Sequence, residues 1–327
     1  MKILFTSVGR RVELMQAFRA AADRLKEGLM IIGADITVTA PALMFCDERK
    51  IVCEIKNPEY ISHLLSICEK ENIDCLIPTI DTDLLLLAEN KSYFEEIGTK
   101  VLISDVNKIK LCRDKRFTAD YFISLGLKSP LPFDSVEKYL SANRSDFPAF
   151  IKPQNGSSSI DAYKVNNADD LRNYSKNIKD YIIQSYIEGK EYTVDIFCDY
   201  EGNPIYITPR ERLAVRSGEV LKTRICQDER IISEIQTLIA DYKPCGPITV
   251  QLIRKKNTDD DYYIEVNPRF GGGAPLSMKA GADSAEAVIR MLRGESLGYA
   301  KMAAKDGAIY SRFDQSICVN EEVFNGR

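Results

Sequence analysis

One histidine in 327 residues narrows the chemistry before any motif is read. His63 lies in Pro58–Glu71, whose apolar spacing predicts an amphipathic helix, and it reads there as a surface or boundary residue. A histidine-rich zinc site is excluded, and a Ser-His-Asp triad is disfavoured. Cys-x-x-Cys pairs are missing as well. The nine cysteines, Cys53, Cys75 and Cys198 among them, are scattered through apolar runs and read as reduced core thiols. No apolar run approaches the roughly 20 residues of a membrane span. The N-terminus opens on a strand, Lys2-Ile3-Leu4-Phe5-Thr6-Ser7-Val8, not on a signal-peptide hydrophobic region. Basic charge is not in excess: Lys and Arg total 44 against 48 Asp and Glu, and a net charge of −4 offers no field for nucleic acid. Internal repeats and low-complexity segments are absent too. These absences predict a cytoplasmic protein with no nucleic-acid or membrane partner. Its chemistry must run on carboxylates, amides, lysines, arginines and metal.

What is present is ordinary in amount, with 45% hydrophobic and 28% charged residues, enough for two or three subdomains with sizeable cores. The first 105 residues alternate strand and helix. Strands are predicted at Ile3–Val8, Leu29–Asp35, Ile51–Ile55, Cys75–Ile80 and Val101–Ser104, and helices at Arg11–Lys26, Pro58–Glu71 and Leu84–Phe94. This is a parallel, doubly wound α/β pattern. Ligands of such sheets gather at the C-terminal strand ends. Three loops stand out there: Thr6 to Arg11, Asp35, and Pro78 to Asp83. The first lacks the full G-x-G-x-x-G fingerprint, which argues against a nicotinamide-dependent oxidoreductase. Gly9, Arg10 and Arg11 at a helix start suit an anion such as a carboxylate, although plain surface charge fits Arg10 and Arg11 equally. Asp81 and Asp83 suit substrate binding or helix N-capping.

The second part opens with a predicted helix, Val106–Leu125, and a loop at Pro130-Leu131-Pro132. Phe147 to Pro153 reads as a short buried strand carrying Lys152, followed by a small-residue loop, Gln154-Asn155-Gly156-Ser157-Ser158-Ser159. Such a loop can wrap phosphate oxygens beside a lysine charge, and an ordinary turn fits it as well. Tyr181 to Asp195 reads as strand, charged hinge with a glycine, and strand. Helices are predicted at Asp169–Asn177 and Glu229–Tyr242. In Tyr206 to Arg216, the residues Arg210, Arg212 and Arg216 alternate and would share one strand face, toward an anionic ligand or toward solvent. Runs at Ile248–Ile253 and Tyr262–Val266 predict neighbouring strands joined by a Lys255–Asp261 turn. Glu265 and Asn267 then project from one face, Gln251 on the adjacent strand can join them, and Arg269 continues the alternation. Oxygen donors of this kind suit Mg²⁺, and the guanidinium can clamp a phosphoryl group. An amphipathic hairpin with a solvated polar edge competes on these residues alone. Gly271, Gly272 and Gly273 follow and permit close backbone approach to a ligand.

The order of these pieces resembles the ATP-grasp superfamily, and the Gln251–Glu265–Asn267 set looks most like its carbamoyl-phosphate-synthase-like branch. The resemblance covers about residues 105 to 290. It implies a pre-ATP domain (1–105) followed by a two-subdomain α+β ATP-grasp fold (106–188 and 189–310), with 311–327 a C-terminal tail. It implies that Lys115 and Lys152 contact the ATP phosphates and that Gly156, Ser157, Ser158 and Ser159 form a mobile flap. Gln184, Tyr186, Ile187 and Glu188 would line the adenine hinge, and Glu191 would hold the ribose. Gln251, Glu265 and Asn267 would bind Mg²⁺, or Mn²⁺ in its place, and Arg269 would steady the transferred phosphoryl group. Gly9, Arg10, Arg11, Asp81, Arg210, Arg212, Gly271 and Gly272 remain for substrate. The flap departs from the family pattern, with one glycine and with Asp161 where many relatives have a small residue. The implied activity is an ATP-dependent carboxylate–amine ligase acting on small molecules through an acyl phosphate and releasing ADP, with a homodimer left open. The alternative is an ATP-binding subunit or sensor without its own chemistry.

Overall fold

The computed structural model describes residues 1–142, 146–155 and 160–319. Three sheets organise the chain. The first holds β1 (Lys2–Thr6), β2 (Met30–Asp35), β3 (Glu48–Ile51), β4 (Cys75–Pro78) and β5 (Lys100–Val101), all parallel, in the order β3-β2-β1-β4-β5. Helices α1 (Val12–Leu25), α2 (Tyr60–Glu71), α3 (Leu84–Glu89) and α4 (Lys91–Glu96) connect the strands. Both faces of β1 are buried. Ile3 and Phe5 join one core with Phe18 of α1, and Leu4 joins another with Leu64 of α2. Burial on both faces explains why these strands read as continuous apolar runs. The doubly wound expectation holds, with local shifts. β3 comes earlier than the predicted Ile51–Ile55, β5 has only two residues, and the predicted Leu84–Phe94 helix is broken at Asn90.

The single helix predicted at Val106–Leu125 is also two: α5 (Val106–Arg113) and α6 (Lys115–Ser124). Asp114 takes an extended conformation between them and caps α6, accepting from Arg116 N. A three-stranded antiparallel sheet follows, of β6 (Ala149–Pro153), β7 (Tyr163–Val165) and β8 (Tyr181–Ser185), in the order β7-β6-β8. It packs on α7 (Val136–Ser141) and α8 (Ala168–Ser175). The flap residues Gly156, Ser157, Ser158 and Ser159 lie outside the described residues. Asp161, just beyond them, sits at φ +53°, in the left-handed region that Asp tolerates better than most residues.

The third sheet is antiparallel and six-stranded, made of β9 (Gly189–Cys198), β10 (Pro204–Arg216), β11 (Glu219–Ile225), β12 (Gly246–Lys255), β13 (Asp261–Asn267) and β14 (Ile309–Ser311). Alternation divides its faces. Val194, Ile196, Ile207, Ile248, Val250 and Leu252 pack under α9 (Glu229–Tyr242). Thr193, Asp195, Thr208, Arg210, Thr249 and Gln251 therefore face the other way. On that second side lie α10 (Ala274–Lys279) and α11 (Ser284–Leu292). Val288 of α11, Phe270 and Phe18 of α1 share one core, which fastens the parallel sheet to the six-stranded one. Among the described residues no helix is long and apolar enough to cross a membrane.

Candidate functional site

The polar face of the six-stranded sheet meets the C-terminal ends of the parallel strands in a cleft. Gln251 and Glu265 are direct cross-strand partners, as are Thr249 and Asn267. One residue later the register slips, because Leu252 pairs with Tyr263 and Ile264 is left as the extra residue of a bulge. The bulge lets Tyr263 and Val266 both enter the α9 core while Glu265 and Asn267 keep to the cleft. Asn267 Nδ2 donates to Glu265 Oε1 at 3.0 Å, and Arg212 Nη1 donates to Gln251 Oε1 at 3.0 Å. The three predicted metal residues are thus brought together. Among the described residues no three His, Cys, Asp or Glu side chains cluster for a metal. A metal here would meet one carboxylate and two amides, a weak set by itself. It fits Mg²⁺ whose remaining ligands are phosphate oxygens and water.

Lys152 on β6 and Lys115 at the start of α6 both lie within reach of the Glu265 charge. Asp114 makes this geometry: its carboxylate accepts from Gln154 Nε2 at 2.7 Å, and Lys115 N donates to Gln154 O at 3.3 Å. The start of α6 is so tied to the end of β6. Lys152 is 7% exposed, and among the described residues no carboxylate lies within ion-pair distance of it. Burial pushes its pKa down to about 8, with Glu265 opposing and Lys115 adding to the shift. Burial also lowers the Lys115 pKa, against Glu265, Asp81 and Asp114. A buried cation without a counter-ion is costly unless an anion arrives.

The adenine-side expectations separate. Ile187 is buried, while Glu188 is exposed and lies 3.5 Å from Lys256. Tyr186 stacks under the Lys164 ammonium, 4.2 Å from the ring centre. Glu191 lies 3.5 Å from Arg212 Nε. Gln184 does not reach the cleft surface. It is 4% exposed, and its amide donates to Pro130 O at 2.7 Å, fastening β8 to the preceding loop.

A cavity of about 610 Å³, open to solvent, continues from the metal residues toward the parallel sheet. Arg11, Arg212, Glu219, Glu265 and Arg269 line it, together with Gly271 to Gly273. Arg269 Nη2 donates to Asp81 Oδ2 at 2.6 Å, a contact between the two domains. Asp81 thus meets the predicted phosphoryl-binding arginine. Asp83 neither caps α3 with its side chain nor lines the cavity. It is fully buried, accepts from Thr6 Oγ1 at 2.9 Å and Ser7 Oγ at 3.3 Å, and burial pushes its carboxyl up to about 6.

Several substrate expectations are corrected. Arg10 points away, its side chain 86% exposed and 3.9 Å from Asp314. The Gly9 amide is already taken by Asp35 Oδ2 at 2.8 Å, so the turn has no free donor there for an anion. Arg210 is 1% exposed and fully engaged. Nε donates to Asp195 Oδ2 at 2.6 Å, and Ser277 Oγ donates to the same oxygen at 2.6 Å. Arg210 borders the cavity, but its hydrogen bonds are made within the protein. Arg216 leaves the shared face, because bulges near Ala214 break the β10 alternation, and it pairs with Asp314 at 3.1 Å. The glycine turn is close-packed on its own chain. A Cβ on Gly272 would stand 2.5 Å from Glu219, and one on Gly273 would stand 2.7 Å from Arg210. Asp195, Ser277, Asp114 and Glu219 were not singled out in the sequence. Asp195 ends the EGKE strand segment, but nothing local reveals its partner 15 residues away.

Comparison with known proteins bears on the family and the fold. Residues 3–102 match the family model of the PylC-like N-terminal domain. Residues 177–314 match the model described as ATP-grasp in the biosynthetic pathway with Ter operon. Residues 177–314 are thus an ATP-grasp domain. The chain is 25% identical over 248 residues to a carbamoyl-phosphate synthase of Methanobrevibacter smithii, an alignment covering 70% of the chain and 66% of that relative. It is 27% identical over 185 residues to the 3-methyl-D-ornithine–L-lysine ligase of Methanosarcina barkeri, covering 57% of the chain and 46% of the ligase. The chain therefore spans less than two thirds of the length of these relatives. Its fold superposes on the biotin carboxylase domain of Hydrogenobacter thermophilus 2-oxoglutarate carboxylase with a TM-score of 0.75 at 20% identity, covering 94% of the chain and 73% of that domain. The likeness to this domain shows a shared ATP-grasp fold.

Proposed function

We propose that the protein is an ATP- and Mg²⁺-dependent ligase that joins a carboxylate to an amine through an acyl phosphate. The observation that carries this reading is Lys152, a buried cation with no ion-pair partner among the described residues, set with Lys115 against Glu265. A phosphate chain supplies the missing negative charge. One further donor points the same way: the buried Nε of Arg269 has no hydrogen-bond acceptor among the described residues. The Hydrogenobacter domain of this fold was solved with MgADP, and the Methanosarcina relative is a ligase, which supports the same chemistry here.

In this reading residues 1–105 are the pre-ATP domain, and 106–188 and 189–310 are the two ATP-grasp subdomains. Lys115 and Lys152 hold the phosphates, Tyr186 to Glu188 border the base, and Glu191 meets the ribose. Gln251, Glu265 and Asn267 hold Mg²⁺, which when bound neutralises charge building on the transferred group. A substrate carboxylate lies near Arg269 and the Gly271–Gly273 turn. One of its oxygens attacks the terminal phosphorus, an O–P bond forms, and the bond to ADP breaks. Arg269 and Lys152 stabilise the charge as it moves. The amine nitrogen then attacks the acyl carbon, the C–O bond to phosphate breaks, and the amine gives up a proton. Closure of the cleft keeps water from the acyl phosphate.

Product analysis tests the scheme. ADP and phosphate should appear, and hydroxylamine in place of the amine should trap a hydroxamate. AMP and pyrophosphate would rule the scheme out. Glu265→Ala should abolish turnover with an unchanged melting curve, because it removes the one anion of the metal set and, with it, several kcal/mol of transition-state stabilisation.

A further inference from the structure

Arg11 is a second cation left without a counter-ion, and it enters the cleft from the other domain. Its guanidinium lines the cavity, and Nη2 donates to Thr79 O at 3.0 Å. Among the described residues no carboxylate lies within ion-pair distance of it. The two acids whose charges act on it are engaged elsewhere, Asp81 with Arg269 at 2.6 Å and Glu219 with Arg312 at 3.1 Å. Burial and the neighbouring Arg269 push the Arg11 pKa down to about 10, the mark of a cation short of negative charge. Its surroundings leave little freedom, since Nη1 is 3.1 Å from where a Cβ on Gly272 would stand.

The position decides what Arg11 meets. Lys115 and Lys152 are not among the cavity walls, whereas Arg11 and Arg269 both are. Arg269 already has Asp81 as a partner, and Arg11 has no carboxylate within ion-pair distance among the described residues. The cavity thus offers two guanidinium groups to an anionic ligand. A guanidinium pairs bidentately with a carboxylate or a phosphate.

We propose that Arg11 binds a second anionic group on the acid substrate, so that the enzyme selects acids carrying two negative groups, one presented by Arg269 and one held by Arg11. This rests on the ligase reading, and the two can fail separately. The test uses the full chain with MgATP and hydroxylamine as the acceptor, reading ADP and hydroxamate. The probes are matched pairs: succinate against succinamate, L-glutamate against L-glutamine, and 3-phosphoglycerate against glycerate. Members with two anionic groups should be used with a kcat/KM about tenfold or more above their partners, the order expected from one charge-assisted contact. Arg11→Gln should abolish that preference by raising the KM for the dianion, while the KM for ATP stays within about twofold. Arg11→Lys should recover part of it. Arg10→Gln, at an exposed position, should change nothing. Equal use of both members, use of neither, or an unchanged preference in Arg11→Gln overturns the inference. Turnover of monoanionic acids alone would leave the ligase reading standing while this inference falls. ATP binding without turnover of any acid would sink both.

Discussion

Arg210 on β10 and Lys152 on β6 are both buried cations, and the difference between them contrasts a satisfied charge with an unsatisfied one. Arg210 borders the cavity, yet each of its three nitrogens has a partner. Asp195 takes two of its donors, Thr223 lies 3.4 Å from a third, and Ser277 completes the acceptor side of Asp195. Among the described residues Lys152 has the aromatic ring of Phe150 at 5.9 Å and no ion-pair partner, and the acid whose charge acts on it is Glu265. A satisfied buried ion pair fixes how β9, β10 and α10 pack. An unsatisfied one holds stability in reserve for a ligand. Identical chemistry in the sequence, a basic residue in an apolar strand, is used in opposite ways.

Breaking the satisfied pair should give the largest effect. Asp195→Ala strands a fully buried guanidinium, and removing one partner of such a pair costs about 3–5 kcal/mol. Urea denaturation should show that loss at neutral pH. A change under about 1 kcal/mol would mean that Arg210 relaxes to solvent and that the contrast with Lys152 is false.

Lys152→Met should do the reverse. Folding stability should hold or rise, because an unpaired charge leaves a buried site. Affinity for a non-hydrolysable ATP analogue should drop by about 1.5–3 kcal/mol, the range of a charge-assisted contact. Calorimetry and denaturation on the same variant supply both numbers. Equal loss of stability and affinity would move Lys152 to the scaffold side.

The pH dependence sharpens this further. With a folded pKa of about 8, the Lys152 ammonium is charged below that value, and nucleotide binding takes up no proton. Above it, phosphate must first restore the proton, so affinity should fall as pH rises past 8, with proton uptake visible as buffer-dependent binding heats. The folded pKa lies below the unfolded one near 10.5, so the folded state binds fewer protons between the two. The stability advantage of Lys152→Met over the parent chain should therefore shrink as pH rises from 8 toward 10.5. A constant difference would place the Lys152 pKa near its ordinary value.

The smallest effect concerns Asp83 in the N-terminal domain, a buried carboxyl lifted to about 6. Its folded pKa exceeds the unfolded value, so its contribution is present at low pH and lost as pH rises through 6. Asp83→Asn should flatten that part of the stability profile and leave nucleotide affinity unchanged. An altered nucleotide affinity would connect this buried acid to the cleft.

Much of this was legible from local pattern. Strand and helix alternation before residue 105 follows from apolar runs buried on both faces. The Glu265 and Asn267 pair follows from strand periodicity alone, and Gln251 from the adjacency of two runs joined by a short turn. What failed was whatever depended on a distant partner or a one-residue slip. Asp114 breaks a continuous helical pattern because Gln154, 40 positions away, ties the break to β6. Arg216 leaves the arginine face because bulges near Ala214 undo a strict alternation. Gly9 looked like an anion cradle until Asp35 filled it.

The sequence by itself determined the layer architecture and the donor types at the site. Side-chain period and strand length are local properties, and three oxygen donors on adjacent strands follow from them. Only the tertiary structure decided which cations are neutralised. Charge satisfaction depends on which carboxylates come within about 4 Å, and those are set by the packing of α10 on β9 and of one domain on the other. Arg210 met Asp195, while Arg11 lines the cavity and Lys152 is buried, neither with an ion-pair partner among the described residues.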